Sequence, residues 1–165
     1  MDNNSKKIAL IAIFSALYSS SVIILAPISF GIYQIRLADA LLPLSMIFGL
    51  PGALGFGLGA LLSNLYGTLG LLDIIGGATA NLLACIIAYY FAKKGGIIYR
   101  FVGSILETII VTIIVGGYLS VIFDVPIELS LLGVLGGSIV AINFVGFPLQ
   151  EAIRKSSIYK RIVTK

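Results

Sequence analysis

Six apolar segments fill almost the whole chain between residues 8 and 149, and only short polar breaks separate them. They run from about Ile8 to Ala26, Leu37 to Leu50, Ala53 to Leu69, Leu71 to Ala92, Ile97 to Leu119, and Leu129 to Leu149. Several approach the ~20 residues that a straight membrane-spanning helix needs. The second is short and bounded by Pro43 and Pro51, which points to a kinked, tilted or partly re-entrant element. Glycine and proline inside the other runs are ordinary for membrane helices, because neighbouring helices satisfy the freed backbone groups. A water-soluble reading fails on composition. Of 165 residues 59% are hydrophobic and 11% charged, with a mean hydropathy of +1.10, whereas soluble domains carry about 25% charged residues. A globule of this length exposes too much of itself to hide so much apolar surface. The expectation is an all-α membrane protein forming a single integral membrane domain over residues 1–165.

The basic residues orient that domain. Lys6 and Lys7 precede the first segment, and Lys93, Lys94 and Arg100 fall around the break between the fourth and fifth. Arg154, Lys155, Lys160, Arg161 and Lys165 follow the sixth. With six spans all of these lie on one face, and Arg36 is the sole basic residue on the other. An odd count would split the basic clusters. The positive-inside rule then puts both termini in the cytoplasm, in a multi-pass protein of the cell membrane. The basic tail reads as a topology anchor touching lipid headgroups rather than as a nucleic-acid site. The first segment is long enough to span and five more follow, so it reads as a span rather than a cleaved signal.

Catalytic chemistry finds little to work with. The chain has no histidine, so imidazole acid–base catalysis and the usual catalytic zinc sets are absent. Its single cysteine, Cys85, excludes an internal disulfide framework. No nucleophile–base pair, phosphate loop or acidic metal cluster stands out, so neither an enzyme nor a metal or cofactor site is expected. A small transporter, or the ligand-binding part of one, suits the inventory better.

The polar residues within or outside the membrane are therefore the candidates, since a buried charge is costly there and marks function unless it has a structural partner. Glu107 lies seven residues after Arg100, about 10 Å along a helix; it either snorkels toward the cytoplasmic interface or faces the bundle interior. Asp73 opens the fourth segment, where an anion suits a helix start, and Asn81 lies two turns on, able to share its face. Asn143 in the sixth segment approaches the same space or joins helices structurally. In GIYQIRLADALLP, Arg36 and Asp39 are spaced to pair on a helical turn. Alternatively the segment covers a pocket and offers the Arg36 guanidinium, the Gln34 amide and the Tyr33 ring to a ligand. Small residues four apart, Ala12 and Ala16, Gly55 and Gly59, Gly133 and Gly137, allow close helix contacts. They serve packing within the chain, or docking of a partner where such a face points to lipid.

Three stretches carry a family likeness: IYQIRLADALLPL, GLPGALGFGLGALLSN and GTLGLLDIIGGATANLLA. Together they resemble the QueT family, over about residues 8 to 150. The most specific parts are Gln34–Arg36–Asp39 and the Leu71, Asp73, Gly76, Gly77, Asn81 set. The resemblance implies a substrate-binding S-component of an energy-coupling-factor transporter, a six-helix bundle that takes up queuosine precursors. These are 7-deazaguanine bases with an aminomethyl or cyano substituent. It implies an energising transmembrane subunit docked on Ala12 and Ala16, and two ATPase subunits that hydrolyse the ATP.

For such a ligand, a carboxylate of Asp73 or Glu107 suits the donor edge of the base, and Asn81 or Asn143 its carbonyl or ring nitrogen. Asp39 suits a cationic aminomethyl group, and Tyr33, Phe30 or Tyr118 the flat ring; Arg36 ranks behind the carboxylates. An S-component for another vitamin or nucleobase, or an independent small secondary transporter, are the alternative readings, because one scaffold hosts many ligands.

Overall fold

The computed structural model describes residues 3–30, 36–157 and 159. Among these every regular element is helical: α1 (Asn3–Ile24), α2 (Ala26–Ser29), a 3-10 helix (Leu37–Leu44) running into α3 (Ser45–Phe48), α4 (Leu50–Gly67), α5 (Leu71–Ala92) and α6 (Gly96–Ile122). The last helical stretch comprises α7 (Ile127–Ser138), a π-helical segment (Ile139–Gly146) and α8 (Phe147–Lys155). Among the described residues four stretches are long and apolar enough to cross a membrane: Asn4–Ile24, Leu71–Ala92, Gly96–Ile122 and Ile127–Lys155. The α4 helix has 18 residues but is diluted by glycine, and the apolar Leu37–Phe48 element is shorter.

The second apolar segment departs from α geometry for a local reason. Pro43 sits inside it and supplies no N–H, so the regular i→i−4 ladder cannot continue through that point. Gly49, at φ 72°, ends the element and lets α4 begin in a new direction, with Pro51 in its first turn. The last apolar stretch is one run interrupted by the π segment. Its Gly146 faces the 3-10 helix so closely that a Cβ there would stand 2.6 Å from the Ala40 carbonyl oxygen. The two irregular segments pack on each other.

Helix association in lipid gains little from hydrophobicity, since acyl chains are as apolar as leucine; close packing and hydrogen bonds take over. The bundle shows both. The α1 helix lies on α4 across Gly55 and Gly59, where added Cβ atoms would meet Phe14 Cβ at 2.7 Å and Tyr18 Cβ at 2.8 Å. These glycines therefore serve packing within the chain. Phe14 and Phe56 meet at 5.1 Å between ring centroids in the same interface. The outward face of α4 presents Leu54, Leu58, Leu62 and Leu65, all exposed. A continuous apolar face of this kind suits contact with lipid rather than water.

At the basic end Arg100 of α6 pairs with Glu151 of α8, which Arg154 also contacts at 3.1 Å. Lys93 lies over the Tyr89 and Tyr90 rings, and Lys94 over Phe91 and Tyr99. Cationic and aromatic residues together form the type of belt found at a membrane–water boundary.

Candidate functional site

Two tyrosine–aspartate pairs and one buried arginine form the polar centre of the bundle. Tyr18, on the inward face of α1, donates its hydroxyl to Asp39 Oδ1 at 2.6 Å. Tyr118 of α6 donates to Asp73 Oδ1 at 2.8 Å. Arg36 stands within electrostatic reach of both carboxylates and both phenols. It is only 5% exposed, yet its Nε and Nη2 groups have no hydrogen-bond partner. Neither aspartate forms an ion pair with it; among the described residues the ion pairs are Arg100–Glu151 and Arg154–Glu151. The Phe30 ring centroid lies 5.6 Å from its guanidinium carbon.

Glycines admit these groups. A Cβ on Gly59 would collide with Tyr18, and one on Gly76 would stand 2.7 Å from Tyr118 Cδ1. On Gly77 it would stand 2.3 Å from Asn64 Nδ2, and that amide donates to the Asp73 carbonyl at 2.7 Å. Asp73 sits in the first turn of α5. Its side chain accepts from Tyr118 rather than from a helix N–H, and its Oδ2 remains buried and unpartnered.

Arg36 and Asp39 also line a cavity of about 10 Å³, together with Asn81 and Ser138 and with Val111, Val115 and Val134. That is room for about one water. Unpartnered buried polar atoms on its lining are Arg36 Nε and Nη2 and Asn81 Nδ2; elsewhere in the bundle Asn64 Oδ1, Asp73 Oδ2, Glu107 Oε2, Thr112 Oγ1 and both side-chain polar atoms of Gln150 are also without partners. Orphaned buried donors and acceptors are rare in folded proteins and each calls for a reason, a binding role among them.

Glu107 is fully buried, so it does not snorkel. It lies outside the cavity lining, with Ser45 Oγ 3.3 Å from Oε1 and with Oε2 unpartnered. Asn143 is a bridge: it accepts from Thr108 Oγ1 at 2.7 Å and donates to Ser104 Oγ at 3.1 Å, tying the π segment to α6. Arg36, Asp39 and Asn81 thus share one cavity, Asp73 lies within electrostatic reach of Arg36, and the buried Glu107 and half-buried Asn143 lie outside the cavity lining. Ala12 and Ala16 lie exposed on α1, on the face away from the buried Phe14, Ser15, Tyr18 and Val22. Tyr33 and Gln34 lie outside the described residues.

Sequence reasoning gave no site role to Tyr18, the partner of Asp39, and placed Tyr118 only as a stacking ring. The available signal was weak: polar-tipped aromatics in apolar runs, each packing on a glycine of another helix.

A family model described as QueT transporter matches residues 8–155. No curated protein and no solved structure matches the chain.

Proposed function

The chain belongs to the QueT transporter family, and we propose that it is the substrate-binding membrane subunit that takes up a queuosine precursor, a 7-deazaguanine base, through the cell membrane. In this reading the apolar segments make six spans with both termini in the cytoplasm, which the one-sided distribution of basic residues supports. The chain is not an enzyme. An energising transmembrane subunit docks on Ala12 and Ala16, and two ATPase subunits hydrolyse the ATP.

The observation that carries the ligand assignment is the set of unpartnered buried polar groups in the bundle, with those of Arg36 and Asn81 on one cavity lining. A deazaguanine presents N–H donors along one edge and a carbonyl oxygen beside them. Asp73 Oδ2 and Asn64 Oδ1 are acceptors without donors; Arg36 and Asn81 Nδ2 are donors without acceptors. The base answers both sets, and it fails to answer them if its donor edge is removed. Asp39 receives a cationic aminomethyl group, and Phe30 flanks the ring. Glu107 and Asn143 support the site from behind, and Gln34 and Tyr33 are assigned to it on the family resemblance alone. Because the cavity holds about one water, binding widens it. The 3-10 helix is the wall that yields, since its hydrogen bonds are poorer than those of the α-helices opposite.

Reconstitution tests this reading. Proteoliposomes holding the chain, an energising subunit and two ATPases are expected to accumulate labelled aminomethyl-deazaguanine only with internal or external ATP on the ATPase side. Accumulation by the chain alone would make it an independent secondary transporter. Accumulation of an unrelated vitamin, with none of the base, would leave the architecture and overturn the ligand.

A further inference from the structure

A guanidinium buried among two carboxylates in a low-dielectric core is drawn strongly toward a bidentate ion pair. Arg36 makes none, although Asp39 is three residues away and Asp73 is within electrostatic reach. Something holds the carboxylates back. In both cases one carboxylate oxygen is occupied by a tyrosine hydroxyl, at 2.6 Å on Asp39 and 2.8 Å on Asp73.

Neither tyrosine is free to follow its aspartate. Tyr18 is fully buried and seated on Gly59, where even a Cβ would stand 2.8 Å from its own Cβ. Tyr118 lies in the same manner on Gly76. Asp73 is further fixed through its backbone, because Asn64 reaches its carbonyl through the notch at Gly77. The phenols are pinned to helix backbones and the carboxylates to the phenols.

We propose that Tyr18 and Tyr118 are positioning residues that hold Asp39 and Asp73 away from Arg36, keeping its N–H donors free for an acceptor group on the ligand. The inference rests on the ligand-binding reading above and adds a role to residues outside the ligand contacts. The unpaired guanidinium is then not a flaw of the core. It is a site kept open at a cost in stability, and the ligand carbonyl or an equivalent acceptor relieves that cost. Removing either hydroxyl lets the released carboxylate swing to Arg36 and close it.

The test uses the full chain in detergent, with Tyr18→Phe and Tyr118→Phe made singly. A thiol-reactive dye follows unfolding, because Cys85 is the only cysteine and is fully buried. Calorimetry with aminomethyl-deazaguanine follows binding. Each variant is expected to unfold at the same or a higher temperature than the parent, yet to bind about tenfold to hundredfold more weakly, the range for losing a hydrogen bond to a charged group. A purely structural tyrosine would lower stability and affinity together, and that result overturns the proposal; so does unchanged affinity.

A second arm needs no ligand. In an Arg36→Met background the carboxylates have no guanidinium to meet, so Tyr18→Phe is expected to lose its neutral or stabilising effect and become destabilising. An identical effect in both backgrounds would overturn the proposal even if no deazaguanine bound to the parent. Absence of binding by the parent, with the background dependence intact, would refute the ligand assignment alone.

Discussion

Gly77 offers the sharpest test of how the site is built. An alanine there places its Cβ 2.3 Å from Asn64 Nδ2, inside contact distance, while the next neighbour, Tyr118 Oη, stays at 3.4 Å. The asparagine amide must move, and moving it breaks the 2.7 Å bond to the Asp73 carbonyl. Leaving buried polar groups unpaired costs about 1–3 kcal/mol. The gain from removing a helical glycine is about 1 kcal/mol, so Gly77→Ala should lie between neutral and about 2 kcal/mol destabilising.

Gly117 supplies the control, because nothing lies within 4 Å of a Cβ built there. Gly117→Ala keeps the helical gain without the loss, and the two variants should differ by about 1–3 kcal/mol. At about 2–4 °C per kcal/mol for a chain of this size, dye-monitored unfolding should place Gly77→Ala about 2–12 °C below Gly117→Ala. Equal midpoints would refute the claim that the Asn64–Asp73 contact depends on the glycine notch.

Other perturbations separate site from scaffold. Arg36→Met removes the unpartnered buried donors and should abolish calorimetric binding while the chain still unfolds cooperatively; binding at parental affinity would mean that the guanidinium does not meet the ligand. Asn143→Ala breaks the bridge between α6 and the π segment, and should lower stability by about 1–3 kcal/mol with little change in calorimetric affinity. Ala16→Trp enlarges an exposed position, so the isolated chain should bind ligand normally, while co-purification with an energising subunit should fail. Co-purification at parental yield would remove that face from the docking account.

The sequence carried the helical character and membrane setting through the length and hydropathy of its runs, which depend on local composition alone. The helix over Leu71–Ala92 coincides with the fourth apolar segment, because polar and glycine-rich breaks flank it on both sides. The Leu37–Leu44 stretch was legible as irregular from Pro43, but not as a 3-10 helix packed on a π segment, since that geometry arises from contact with residues a hundred positions away. Asp39 and Asp73 stood out because charges are scarce. Their restraint by Tyr18 and Tyr118 did not, because which face of an apolar helix turns inward is set by the neighbouring helices. Asn143 and Glu107 show the same limit: their types marked them, and only the packing shows one as a bridge and the other as a buried carboxylate outside the cavity lining.

The most direct test of the central claim is calorimetric titration of the purified, detergent-solubilised chain with aminomethyl-deazaguanine, its cyano analogue and guanine. Sub-micromolar binding of a deazaguanine is expected, with guanine much weaker and with the heat lost in Arg36→Met and in Asp73→Asn. Deazaguanine binding that survives both substitutions, or no binding of either deazaguanine by the parent chain, would contradict it.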